Sequence, residues 1–169
     1  YKFNEDIFKK VTVLPDGKNH GLVFLLDWSG SMQYYLQDTL KQLYNLIWFC
    51  RKVQIPFEVY AFTNEWGHGE YTSYGYYGSG DFGKSYEKKA GMIAIDNQFS
   101  LMNLFTSEVN GKTLEKQMLN IWRVVHSFRE YGLSYPRKLA LSGTPLNEAL
   151  IAFRKLFPEF QKKAQVEKV

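Results

Sequence analysis

Leu22-Val23-Phe24-Leu25-Leu26-Asp27-Trp28-Ser29-Gly30-Ser31-Met32 is the stretch whose reading decides the fold. Five consecutive apolar residues run into an aspartate, and serines follow it at alternate positions. An apolar run without polar interruption, ended by Gly and Ser, reads as a strand buried on both faces of a parallel sheet. Open α/β sheets hold their ligands at the C-terminal end of such strands. Asp27, Ser29 and Ser31 supply one carboxylate and two hydroxyls there, all hard oxygen donors. That set suits Mg²⁺ or Mn²⁺, which take oxygen octahedrally and keep positions open for water or a ligand. An Asp-Ser turn that merely caps the next helix would use the same residue types. The position between a buried strand and a helical stretch favours the metal loop.

Working outward, Val11-Thr12-Val13-Leu14 predicts a short strand, ended by the turn signal Pro15-Asp16-Gly17. Downstream of the serines, Leu36, Leu40, Leu43, Leu46, Ile47, Cys50 and Val53 recur in steps of three and four, which predicts an amphipathic helix from Tyr34 to Val53. Gln54-Ile55-Pro56 breaks it, and Phe57 to Thr63 reads as a second strand. Strand, helix, strand in this order predicts a parallel pair. From residue 64 to residue 90 the chain is rich in Gly and Tyr and has neither period. An insertion this long is a functional loop, such as a Tyr-lined binding surface, or a mobile one. Gly91 to Ile95 reads as a short strand, while Phe99 to Phe105 fits either a short helix or an extended segment. Leu114, Met118, Ile121, Trp122, Val125 and Phe128 predict a helix from Thr113 to Tyr131, ended near Gly132. A last helix is predicted from Pro145 to Phe157, with Pro158 as its stop.

Composition places these elements in one domain spanning residues 1–169. The 45% hydrophobic and 22% charged residues are those of a soluble globular protein, and no apolar run reaches the roughly 18 residues of a membrane span. The formal charge of +4 is spread over scattered basic pairs such as Lys9-Lys10, Lys88-Lys89 and Lys162-Lys163. Scattered charge describes a solvated surface and argues against nucleic acid as partner. The lone Cys50 excludes an intrachain disulfide, which fits a reducing compartment, and its helical position makes it a core residue. The expected location is cytoplasmic.

Asp27-Trp28-Ser29-Gly30-Ser31-Met32 resembles the first loop of the metal-ion-dependent adhesion site in von Willebrand factor A domains. Leu141-Ser142-Gly143-Thr144-Pro145-Leu146-Asn147-Glu148-Ala149-Leu150 resembles the second loop, where a Thr before a helix gives another oxygen. Gly-Thr-Pro-Leu followed by Glu-Ala-Leu is similar to the T subunit of cobaltochelatase and its tailed-phage homologues. The resemblance runs from Gly21 to Phe157, and its specific part is the two loops and their flanks. It implies a Rossmann-like, open, mostly parallel sheet flanked by helices. It also implies that the family's third loop, an Asp after the next buried strand, lies beyond Val169, so that the chain stops short of it. Asp81 and Asp96 both precede Thr144 and do not occupy that place.

The resemblance further implies a metal site of Asp27, Ser29, Ser31 and Thr144 holding Mg²⁺ or Mn²⁺. With one full protein charge, the cation stays electrophilic and favours an acidic residue of a protein ligand. By the same resemblance the partner is a ring-forming AAA+ ATPase of the chelatase or MoxR type, in the host cytoplasm if the chain is phage-encoded. Catalysis by the chain itself is disfavoured. Ser29 lacks the glycines of a hydrolase elbow, and a phosphatase using an aspartyl nucleophile would carry a second Asp where Ser29 stands. His20, His68 and His126 lack zinc-peptidase spacing, Glu65, His68 and Glu70 read as polar loop residues, and no Walker-type loop is present. The alternatives are a catalytic-complex subunit of a cobaltochelatase, a phage-encoded peptidase, and an RNA-binding A domain.

Overall fold

The computed structural model of the chain describes residues 20–64, 99–130 and 133–169. It is an α/β protein whose strands are β1 (Leu22–Asp27), β2 (Phe57–Asn64) and β3 (Phe99–Thr106). Its helices are α1 (Leu36–Lys52), α2 (Gly111–Ser127) and α3 (Leu146–Ala164). The sheet order is β1-β2-β3. β1 and β2 are parallel, with Leu22 opposite Phe57 and Asp27 opposite Phe62, as the strand-helix-strand order predicts. β3 runs antiparallel to β2, with a register irregularity between Val59 and Tyr60. The described sheet is therefore mixed, and "mostly parallel" holds for β1 and β2 alone. The predicted strands at 11–14 and 91–95, and residues 65–90 of the Gly/Tyr-rich segment, lie outside the described residues. Asn64, taken above as the first loop residue, is instead the last residue of β2.

Strand alternation sorts the core into two faces. Phe57, Val59 and Ala61 of β2, with Leu26 and Trp28, pack against Leu36, Leu40, Leu43, Ile47 and Cys50 of α1 and Leu114, Met118 and Val125 of α2. The Tyr44 hydroxyl donates to the Met118 carbonyl at 2.6 Å and joins the two helices. The opposite face receives α3: Phe153 meets Tyr60 edge-on at 5.3 Å, and Lys163 reaches the buried Glu58. Helices thus cover both sides of the sheet, as a strand apolar on both faces requires.

The helix ends show where local chemistry moved the predicted boundaries. α1 closes with Gln54 in the left-handed region (φ 59°), its amide bonded to the Arg51 carbonyl and that of Ile55 to the Cys50 carbonyl. This is the double bond of a Schellman cap, and Pro56 then prevents continuation. α2 starts two residues before the predicted Thr113, because the Asn110 side chain caps it by accepting from the Thr113 amide at 2.9 Å. It ends at Ser127, and Gly132 lies outside the described residues. α3 continues through Pro158 to Ala164, so the predicted stop at Phe157 is corrected. A proline inside a helix costs roughly 3 kcal/mol through its missing N–H and the clash with the preceding turn. Phe160 and Val166 offset this by closing the core over Gly21, where the Phe160 ring lies so near that a Cβ would stand 2.6 Å from its Cε1.

Beyond α3 the chain returns to the sheet. The Gly21 amide donates to the Lys168 carbonyl at 2.7 Å, whereas the Leu22 amide donates to Pro56 beside β2. Successive amides of a strand point to opposite edges, so Lys168 lies on the edge of β1 away from β2, in a parallel bridge with His20.

Candidate functional site

Asp27 ends β1, and the backbone turns sharply after it. One carboxylate oxygen of Asp27 accepts from the Ser29 amide at 3.0 Å, a turn closed by the side chain. This fixes the carboxylate while leaving acceptor capacity for a second partner. Gly30 to Met32 form one turn of 3-10 helix with Ser29 as its N-cap residue. Ser29 is buried and Ser31 exposed, and their hydroxyl oxygens are 3.0 Å apart.

Trp28 anchors this loop from beneath. It is fully buried, its ring meets Phe128 edge-on, and its indole N–H donates to the Leu139 carbonyl at 2.8 Å. Leu139 belongs to the segment that leads into the second loop. The two loops then bond directly: the Gly30 amide donates to the Ser142 carbonyl at 2.8 Å, and Ser29 and Ser142 form a parallel bridge. Thr144 is two residues further on, exposed, and therefore within about 7 Å of Ser142 along the backbone. Its carbonyl accepts from the Leu146 amide as α3 begins. The four sequence-predicted residues thus sit on two loops that hydrogen-bond to one another at the C-terminal end of β1.

The donor set fits a small hard cation. The Ser29 and Ser31 hydroxyls are hydrogen-bonded to each other at 3.0 Å, a separation that neighbouring ligands of an octahedral ion with oxygen at about 2.0–2.1 Å also have. Among the described residues, no three His, Cys, Asp or Glu side chains come together, so the oxygens here belong to one carboxylate, hydroxyls and amides. Softer ions that select thiolate and imidazole find no matching donors in this group.

Sequence reading missed two residues here. Trp28 has no role in the loop's spacing, although an indole at that point carries a donor needing a partner. Asn64 was assigned to a loop. Its side chain packs against Gly143, where a Cβ would lie 2.6 Å from its Nδ2, and its Oδ1 is buried without a hydrogen-bond partner. Thr63 beside it is 1% exposed and its hydroxyl is likewise unpartnered. Nothing in the sequence marks either, since β2 reads as an ordinary strand that ends in two polar residues.

Cys50 is buried in the core, where desolvation raises its thiol pKa, and it takes no part in this site. No helix among the described residues is long and apolar enough to cross a membrane. Compared with protein-family models, with curated proteins and with solved structures, the chain matches none.

Proposed function

We propose that the chain is a von Willebrand A-type domain that binds Mg²⁺ or Mn²⁺ through Asp27, Ser29, Ser31 and Thr144 and uses the ion to recognise another protein. The observation that carries this reading is the bond from the Gly30 amide to the Ser142 carbonyl, which joins the serine loop to the threonine loop. The Ser29 and Ser31 hydroxyls, held side by side by their mutual hydrogen bond, add two neighbouring oxygens to it. Each residue then has a distinct task. Asp27 brings the single negative charge and holds the turn through the Ser29 amide. Ser29 and Ser31 give neutral oxygens, and Thr144 approaches from the far loop. A cation so incompletely neutralised attracts an incoming carboxylate from a partner's Asp or Glu.

By the likeness of Gly143-Thr144-Pro145-Leu146 and its flanks to the chelatase T subunit, the proposed partner is an AAA+ ATPase of the chelatase or MoxR type. In that pairing the ATPase supplies energy and this domain relays it to a target in the cytoplasm, without catalysis of its own. Calorimetric titration of the 169-residue chain with Mn²⁺ tests the site: one binding event is expected, lost in Asp27→Ala while the far-UV spectrum is kept. Co-purification with such an ATPase in Mg²⁺ but not in EDTA tests the partner. Equal Mn²⁺ binding by Asp27→Ala overturns the metal role.

A further inference from the structure

We propose that the Asn64 carboxamide oxygen is a further oxygen donor of this site, supplied by β2 and by neither loop. This rests on the reading of the site as a divalent-cation site. Three features place Asn64 there. β2 extends past the register pair Asp27–Phe62, and the Phe62 carbonyl accepts the Trp28 amide at 3.0 Å, so β2 borders the serine loop. Alternation puts Asn64, two residues beyond Phe62, on the sheet face shared with Asp27. The Nδ2 end of its amide lies against Gly143, which stands between Ser142, bonded to Gly30, and Thr144, and Oδ1 is the other end of the same carboxamide. The residue therefore borders both loops at once.

Its Oδ1 points to a missing counterpart. A buried amide oxygen without a donor carries its desolvation cost unrepaid, and native structures rarely retain one without use. A divalent cation satisfies such an oxygen directly, and a neutral amide oxygen is an ordinary ligand of hard cations. Gly143 belongs to the same device, because a side chain there would displace the Asn64 amide. A neutral fifth oxygen strengthens the grip on the ion and adds no charge, so the pull on a partner's carboxylate is preserved.

Asn64→Ala and Asn64→Asp, each titrated with Mn²⁺ and melted in EDTA and in Mn²⁺, test this. Asn64→Ala should weaken Mn²⁺ binding by about tenfold, the low end of effects seen when a group beside a metal is removed. Asn64→Asp should bind Mn²⁺ more tightly than the wild type. It should also melt lower in EDTA, where two carboxylates face each other, and gain more on adding Mn²⁺. A residue that only packs against Gly143 would not produce that reversal. If the wild type binds Mn²⁺ and Asp27→Ala does not, while both Asn64 variants match the wild type, the Asn64 assignment alone falls. If the wild type binds no Mn²⁺, the cation reading falls and takes this assignment with it. Should Asn64→Ala fail to fold, the Asn64→Asp titration decides.

Discussion

Trp28 and Leu139 are joined by a hydrogen bond of 2.8 Å from the indole N–H to the backbone carbonyl, across 111 positions of sequence. The bond ties the residue that follows Asp27 to the segment that leads into Ser142 and Thr144. Both loops are therefore held by one buried side chain as well as by their own backbone bridge. Trp28→Phe keeps most of the ring and removes the donor. It should lower unfolding free energy by about 1–3 kcal/mol, the effect of stranding a buried acceptor. Mn²⁺ affinity should fall with it, because the loops lose their common anchor. Denaturant unfolding and Mn²⁺ titration of the variant check both halves. An unchanged midpoint together with unchanged affinity would remove Trp28 from the account.

Gly143 and Asn64 form the second coupled pair. Gly143→Ala places a Cβ 2.6 Å from Nδ2 and 3.3 Å from Cγ of Asn64, so the amide must swing away. The expected loss is about 1 kcal/mol, the low end for insertions into filled space, because the crowded atom is the far end of a side chain that can turn. In an Asn64→Ala background the same change has room and should be nearly neutral. A double-mutant cycle on unfolding free energy measures the coupling directly. Additive effects would mean that the two side chains do not compete for that space.

Legibility followed the strength of the periodic signal. α1 was readable because Leu36, Leu40, Leu43, Ile47 and Cys50 repeat one face through four turns, and all are buried. β1 was readable as a strand because Leu22 to Leu26 run apolar without a break, but its expected burial on both faces is not met: of the five only Leu26 is buried, and Leu22 is exposed. Phe99 to Thr106 was not. Its apolar residues at 99, 101, 102, 104 and 105 satisfy neither period cleanly, and pairing to β2 settled it as an antiparallel strand. Pro158 misled because a local stop signal was outweighed by burial of Phe160 two residues later. At the site, the residues with metal-loop spacing were visible, and the ones that position them were not. Trp28 and Asn64 meet Leu139 and Gly143, distant in sequence, and such pairings leave no local pattern.

Four groups make the fold sensitive to alkali, the buried Cys50 thiol, raised by desolvation, being the first to be reached as pH rises. Burial raises the Tyr44 hydroxyl pKa above its ordinary 10.0, and that hydroxyl donates to the Met118 carbonyl. Burial also raises Tyr60, helped by its bond to the Glu58 carboxylate. Lys163 is raised above its ordinary 10.5 by its hydrogen bond to Glu108, with the Glu58 charge adding to it. Each group holds its proton more tightly folded than unfolded. The stability each contributes is therefore complete below its unfolded value and lost as pH rises through its folded value. The denaturant midpoint should hold from about pH 7 to about pH 8 and then fall steadily towards about pH 11. Tyr44→Phe should begin lower at neutral pH, by about 1 kcal/mol for the lost hydrogen bond, and fall less steeply above pH ~10. Equal alkaline slopes in the two proteins would show that the Tyr44 proton is not what joins α1 to α2.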